Sequence, residues 1–374
     1  MRLWRYCLAG LLFNWAGFIF WTWIPARALD FNASSTQLAL LQTASSVIYV
    51  LNSLFSGGLS DRVSRTLLAR LSTVVAAGAC ALLIGADSLW GLFLIVPLMG
   101  MACSVYWPSI QGAVGAEAGP ARLERALGWF SVSWSIGKTL GFALGGTSIS
   151  SRGALWMAAA SALPVLVFYP RDQAPARAEA PAEARTDLAA YRTLGYIVNF
   201  LAFGVGSVFI NQFLKYLEAR PVPGWTPASF FGLFLGAIYG TQTLTFVVLQ
   251  RSSGWAYRRG LLYCVQVLCG ATALLVPFLG HDWQYFAAAA VIGAGLGFAN
   301  QSSIYYSLHG LSDHGKYAGF HEAIVGLGTF LAPLAGGALA DRTQDLRSPY
   351  LLAGAVMVAA VVAEEAVYRR TSRS

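Results

Sequence analysis

The stretch GGLSDRVSR, Gly57 to Arg65, places charged residues between two long apolar runs of the sequence. The preceding run covers residues 36–56, and the following run covers residues 67–85. Each has about 20 residues, the length that an α-helix needs to cross the roughly 30 Å hydrocarbon core of a bilayer. This stretch therefore predicts a short polar loop between two transmembrane helices.

Apolar runs of this length recur along the whole chain of 374 residues. The chain is 56% hydrophobic and only 11% charged, and its mean hydropathy of +0.57 is far from that of soluble domains. We therefore predict an all-α integral membrane protein with twelve transmembrane helices. The predicted spans are 8–24, 36–56, 67–85, 89–111, 127–149, 153–169, 194–215, 228–249, 260–279, 284–308, 318–340 and 349–367.

The basic residues predict the orientation of these helices, because short loops rich in Lys and Arg remain in the cytoplasm. With a cytoplasmic N-terminus, most of the 25 lysines and arginines fall in cytoplasmic loops. Arg2 and Arg5 before the first apolar run also resemble the start of a signal peptide. Since the run is long, rich in tryptophan and followed by eleven others, a retained helix is favoured. We expect a multi-pass protein of the inner membrane, with both termini in the cytoplasm.

The composition also argues against several classes of protein. The net charge of +8 follows the predicted topology, and no basic and aromatic residues cluster as nucleic-acid binding requires. The five cysteines lack metal-ligand spacing, and no motif of a nucleophile, a dinucleotide loop or a carboxylate pair is present. We predict no enzyme, cofactor, metal site or nucleic-acid partner. The expected partners are lipid and a small solute, for a monomeric protein.

A charged segment rich in Ala and Pro, PRDQAPARAEAPAEARTD, divides the twelve spans into six and six. This composition cannot bury itself and predicts a linker. The predicted organisation is an N-terminal half at 1–169, a cytoplasmic linker at 170–193 and a C-terminal half at 194–374.

The two halves contain an internal repeat. Arg125 to Gly146 aligns with Lys316 to Gly337 at an offset of 191 residues, with basic, aromatic and glycine residues in register. Small residues spaced four apart let another helix backbone approach closely, so helix packing is the simplest interpretation. The alternative is a moving interface between helices, which needs the same smooth surface. The glycines to which this applies are Gly137, Gly141, Gly145, Gly146, Gly328, Gly336 and Gly337.

The two six-helix halves, the linker and the GGLSDRVSR loop together resemble the major facilitator superfamily of secondary transporters. The residues that match the family's loop signature are Gly57, Leu59, Asp61, Arg62 and Arg65, whereas Ser64 and Thr66 depart from it. The resemblance implies a gate at which this aspartate and arginine hold the cytoplasmic helix ends together. From the residues alone, Asp61 is suited to accept hydrogen bonds at the start of the next helix, or lies in a merely solvated turn.

A similar stretch, GGALADR at Gly336 to Arg342, is not the repeat partner of this loop, because it starts 279 residues later rather than 191. It closes the eleventh span on the predicted outer face. We therefore expect Asp61→Asn to test gating more sharply than any change at Asp341.

Polar residues near the middle of predicted spans are candidates for a solute site, because burying them in a bilayer is costly. Lys138 lies about 16 Å of helix rise from each end of its span, too deep to reach the interface fully. It faces either a cavity or a structural partner. The resemblance implies a cavity lined by helices 1, 4, 7 and 10. It therefore adds further candidates, each of which either lies near the solute or forms a polar contact between helices. The candidates are Lys138, Trp134, Asn14, Tyr106, Asn199, Asn300 and Gln301.

The leading hypothesis is a secondary active transporter that moves a small solute by rocking its two halves about a central site. An alternative is a drug or metabolite efflux pump, and an alternative of another class is a non-transporting membrane sensor of the same fold. If protons are the coupling ion, Glu322 and His321 in the eleventh span, together with Lys138, are the groups to test.

Overall fold

The computed structural model describes residues 3–60, 63–118, 122–147, 151–169, 187–309 and 314–371. All regular elements in these ranges are helical. The α-helices are α1 (Leu3–Asp30), α2 (Ser35–Ser60), α3 (Arg65–Ile84), α4 (Leu89–Ala118), α5 (Leu123–Gly146), α6 (Ser151–Ala160), α7 (Ala162–Phe168), α8 (Leu188–Ala219), α9 (Pro227–Leu249), α10 (Arg259–Leu275), α11 (Asp282–Leu308), α12 (His314–Thr343) and α13 (Ser348–Thr371).

These helices confirm the predicted all-α membrane fold with twelve spans, since α6 and α7 meet at Ser161 and together form the sixth. In the described ranges, nine helices are individually long and apolar enough to cross a bilayer. The other spans are α5 and α11, which carry several polar residues, and the short α6–α7 pair. Helix α8 begins at Leu188, so the last six residues of the predicted linker are helical.

Local sequence signals explain several of the helix ends. Thr226 caps α9 by accepting a hydrogen bond from the Ser229 amide at 3.3 Å, and Pro227 occupies the first helical position, where its missing N–H costs nothing. Ser64 caps α3 in the same way through the amide of Leu67. The helices therefore begin where short polar loops end, as the charge pattern predicts.

The buried apolar side chains form two clusters that follow the two halves. One comprises residues of α1 and α3–α7 with Leu38 and Leu41 of α2, joined by Ile304, Leu308 and Ala318 from the C-terminal half. The other comprises residues of α8–α11 and α13, joined by Phe142 from α5. Each half thus has its own core.

The halves meet mainly along two pairs of helices, where α5 packs on α9 and α2 packs on α12. We call these contacts the α5–α9 seam and the α2–α12 seam. The internal repeat relates them, because α5 and α12 are the two aligned segments. We call the end of the bundle that holds the α1–α2 connection the predicted outer end, after the orientation that the basic residues predict.

Candidate functional site

A cavity of about 160 Å³ lies between the halves, inside the helix bundle. Its walls come from α1, α2, α4 and α5 of the first half and from α8, α9, α11 and α12 of the second. Four of the predicted solute-site residues line it, together with both residues singled out for proton coupling. These six are Asn14, Trp134, Lys138, Asn300, His321 and Glu322.

Lys138 lies in this cavity with only 4% of its surface exposed. Its Nζ is 3.7 Å from the centre of the Tyr239 ring, 4.4 Å from that of Phe18 and 5.7 Å from that of Phe203. Among the residues that the structure describes, no carboxylate or other hydrogen-bonding group pairs with this ammonium. Its neighbours are instead the faces of aromatic rings, whose negative electrostatic potential attracts a cation.

Glu322 of α12 lies in the same cavity and joins the two halves. Its carboxylate accepts a hydrogen bond from the hydroxyl of Tyr49 on α2 and another, at 2.5 Å, from Nε2 of Gln111 on α4. Both oxygens therefore have a donor from the first half. A protonated Glu322 would lose acceptor capacity, so its charge is coupled to this contact between the halves.

Two further polar contacts fix groups around the cavity. Nδ1 of His321 lies 2.9 Å from the hydroxyl of Ser303 on α11, within the second half. Asn14 donates from Nδ2 to the backbone carbonyl of Trp134 at 2.9 Å, which ties α1 to α5 within the first half. Asn14 thus both lines the cavity and joins two helices.

Three predicted solute-site residues do not line this cavity. Tyr106 is buried with its ring stacked on Phe13, at a centroid distance of 3.7 Å. Asn199 and Gln301 are buried too, and their amide atoms find no hydrogen-bond partner in the described part of the chain. Sequence position alone had not shown which face of its helix each side chain occupies.

The predicted gate residues are only partly described. Gly57 and Leu59 belong to the last turns of α2, and Leu59 is exposed, whereas Asp61 and Arg62 lie outside the described residues. Arg65 begins α3 and donates from Nη1 to the carbonyl of Gly112 on α4 at 3.2 Å. This contact is within the first half.

Asp341 joins the halves at the predicted outer end. The sequence alone predicted no contact for this residue. Its carboxylate accepts hydrogen bonds from the backbone amides of Ser35 at 3.1 Å and Thr36 at 2.8 Å. These are free N–H groups of the first turn of α2, where the helix dipole also favours an anion. Nearby, Gln212 and Lys215 of α8 donate to the carbonyls of Ser35 and Ala33.

The repeated glycines lie at helix contacts. A Cβ on Gly146 would lie 2.5 Å from Cα of Gly232 on α9, and one on Gly337 would lie 2.6 Å from the carbonyl oxygen of Ser35 on α2. Both positions therefore require the two halves to approach backbone to backbone. Of the others, Gly137, Gly141 and Gly145 face α1, Gly328 faces α8 and Gly336 faces Pro349 of α13.

Several residues of the site were missed by sequence reasoning. Phe18 lies four residues after Asn14, so helical spacing already placed it on the same face. Gln111 is polar within an apolar span, which is a signal of the same kind as Asn14. Tyr49 and Tyr239 carry no such signal, because tyrosine is common in transmembrane helices and only the packing of the halves brings them to the cavity.

The sequence profile of the Major Facilitator Superfamily matches residues 6–311 and 255–373. The putative MFS-type transporter MT0872 of Mycobacterium tuberculosis is 23% identical over 335 residues, covering 83% of this chain and 78% of the relative. The MFS-type transporter YfiS of Bacillus subtilis is 25% identical over 170 residues, which is 43% of this chain and 40% of that protein.

Solved structures with this fold cover nearly the whole chain. The nucleoside transporter NupG superposes with a TM-score of 0.71 at 13% identity, over 98% of this chain and 99% of that one. The human organic anion transporter MFSD10 gives 0.71 at 16% identity, over 97% and 99%. A bacterial homologue of the human lysosomal transporter Spinster gives 0.66 at 16% identity, over 99% and 96%. At these identities the likeness concerns the fold alone.

Proposed function

Because the chain belongs to the Major Facilitator Superfamily, we propose that it is a secondary active transporter that moves a small solute through the central cavity by alternating access. The observation that carries this proposal is the cavity itself, which lies between the two halves and is lined by both. A site placed there opens to one side or the other when the halves rock.

The moving parts in this proposal are the two six-helix halves, 1–169 and 194–374, joined by the linker. The separate apolar cores support this division, because each half buries its own side chains. Gly57, Leu59, Asp61, Arg62 and Arg65 would act at the cytoplasmic gate. The solute would contact Lys138, Trp134, Asn14 and Asn300.

Protons are the proposed coupling ion, through Glu322 and its neighbour His321. Glu322 is the carboxylate that accepts hydrogen bonds from Tyr49 and Gln111 across the halves, so gain or loss of its proton changes a contact that rocking must break. Proton coupling also suits the alternative direction, efflux of a drug or metabolite.

We place the protein in the inner membrane with cytoplasmic termini, on the strength of its basic loops, and the proposed oligomeric state is a monomer. Fusions of a cytoplasmic and a periplasmic reporter after Ala118 and after Ala219 test this orientation. The first site is predicted to be cytoplasmic and the second external, so activity of the reporters in the reverse order contradicts the topology.

Reconstitution tests the transport proposal. Purified protein in liposomes should exchange a labelled solute across the membrane, and the first panel comprises organic anions, nucleosides and amines, each with and without a proton gradient. Exchange of one class above protein-free liposomes supports transport. Absence of exchange for every class favours the sensor alternative.

A reversible lock distinguishes alternating access from leakage. Thr36→Cys and Asp341→Cys, in a chain whose five cysteines are replaced, lie on opposite sides of the contact at the predicted outer end. A short bifunctional thiol reagent with a cleavable disulfide should stop flux, and a reducing agent should restore it. Flux that is unchanged while the cross-link is intact contradicts alternating access at this interface.

A further inference from the structure

We propose that the solute is a small organic anion with a single aromatic ring, whose carboxylate pairs with Lys138. This inference rests on the proposed transport function and names the chemistry of the substrate. The charge and the shape of the cavity support it.

The charged groups in the cavity differ in the partners that the protein gives them. Glu322 already has hydrogen-bond donors for both of its oxygens, from Tyr49 and Gln111, and His321 lies beside Ser303. Lys138 is the titratable group of the described cavity wall whose polar atom meets only aromatic rings. A ligand carboxylate at Lys138 therefore supplies the hydrogen-bond acceptor and the opposite charge that the protein does not provide there.

Burial of the Lys138 ammonium carries an energetic cost. Removing an ammonium from water is unfavourable even after relaxation, and a close aromatic face returns only part of that cost. Rings also leave the three N–H donors of Lys138 without a strong acceptor. A carboxylate provides both the opposite charge and the acceptors, so an anion binds here with more gain than a neutral solute, and a cation is repelled.

The shape of the cavity also favours one class of solute. Its walls include the rings of Phe18, Trp134 and Tyr239, which favour the flat face of an aromatic solute over a polar body. The volume is about 160 Å³, and an apolar cavity of about 150 Å³ holds benzene. One ring with a small anionic substituent therefore fits.

The test measures binding to the purified full-length protein by calorimetry. The anions are benzoate, 4-hydroxybenzoate and phenylacetate, each at up to about 10 mM so that millimolar affinities are seen. Benzamide is the neutral analogue, benzylamine the cationic analogue, and acetate the anion without a ring. We expect at least one aromatic anion to bind about tenfold or more tightly than the analogues.

Lys138→Met should remove this preference, because it keeps most of the length of the side chain and deletes its charge. Lys316→Met is the matched control, since Lys316 is exposed at the start of α12 and should leave binding unchanged. The melting temperature of ligand-free Lys138→Met should equal or exceed that of the native chain, because a buried charge has been removed.

Each outcome bears on the proposal. Selective binding of an aromatic anion that is lost in Lys138→Met supports it. Equal binding of benzoate and benzamide, binding that survives Lys138→Met, or no binding by any of the three anions overturns it. Anion binding without flux in liposomes keeps the ligand assignment and contradicts transport, whereas flux of a neutral or cationic solute keeps transport and contradicts the anion.

Discussion

The two seams between the halves are related by the internal repeat, yet they are built differently. On the α5–α9 seam, Gly146 meets Gly232 and Gly236 meets Ala143, so small residues bring the backbones together. The α2–α12 seam has its close approach at Gly337 too, but it adds the carboxylates Glu322 and Asp341, each with donors from the first half. The α5–α9 seam therefore combines close packing with the contact of Lys138 on the Tyr239 ring, whereas the α2–α12 seam combines close packing with hydrogen bonds to carboxylates.

The same difference appears inside the cavity. Lys138 of α5 corresponds in the repeat to Thr329 of α12, and Glu322 of α12 corresponds to Ser131 of α5. All four line the cavity, so each copy of the repeat keeps a hydroxyl where the other has a charge. The backbone is duplicated while the charges are not, and this gives a pseudo-symmetric cavity two different walls.

The largest effect is expected from bulky side chains in the glycine contacts. Gly146→Leu and Gly337→Leu should each destabilise the protein by at least about 3 kcal/mol, because the opposing backbone cannot move aside. Gly78→Leu is the control, since a Cβ there meets nothing within 4 Å. The measurement is the thermal unfolding midpoint, and equal midpoints for the variants at Gly146 and Gly78 contradict the packing account.

Asp341→Asn should weaken the α2–α12 seam at the predicted outer end by about 1.5–3 kcal/mol, the worth of hydrogen bonds to a charged group. The amide keeps one acceptor oxygen but turns a donor toward the amides of α2. A single cysteine at Gln42, which lines the cavity, should then react faster with a thiol reagent added from that side.

Asp345→Asn is the control for this change, because the Asp345 carboxylate bonds Arg347 within the same loop. That ion pair holds the pKa of Asp345 below its usual value, so the control is read at neutral pH, where Asp345 is charged. If both variants leave the reactivity at Gln42 unchanged, Asp341 does not hold this end closed.

Glu322→Gln should cost only about 1 kcal/mol of stability, since the amide retains an acceptor for one of the two donors. Its larger consequence is functional, because glutamine cannot exchange a proton. Flux driven by a proton gradient should disappear, while exchange of labelled for unlabelled solute continues. Glu364→Gln is the matched control, since Glu364 is a buried carboxyl that accepts a hydrogen bond from Gln266 within the second half. Flux driven by a proton gradient that persists in Glu322→Gln contradicts the coupling role.

The smallest effects are expected from the hydroxyl contacts that the two seams share. Thr243 lies 2.8 Å from the hydroxyl of Ser135 on the α5–α9 seam, and Ser46 lies 2.9 Å from that of Thr329 on the other. Thr243→Val and Ser46→Ala should each lower stability by about 0.5–1.5 kcal/mol. Unfolding midpoints that differ strongly between the two variants would show that the seams are unlike even in these neutral contacts.

Much of this architecture was predictable because it depends on local chemistry. Apolar runs of bilayer length predict the helices, and the repeat aligned Gly146 with Gly337 before their contacts were known. Lys138 could be singled out because an isolated lysine deep in a span is costly wherever it lies. Tyr106 and Asn199 show the limit, since their position along the helix did not reveal that they do not line the cavity.

The sequence by itself determined the number of helices, the two-half organisation and the residues too costly to bury without a purpose, because each depends on the transfer of side chains from water to lipid. Only the tertiary structure decided which groups meet. Asp341 contacts the start of α2, Glu322 contacts Tyr49 and Gln111, and Lys138 contacts the ring of Tyr239, each across the interface between halves. Such pairings join residues far apart in the chain, and no local periodicity encodes them.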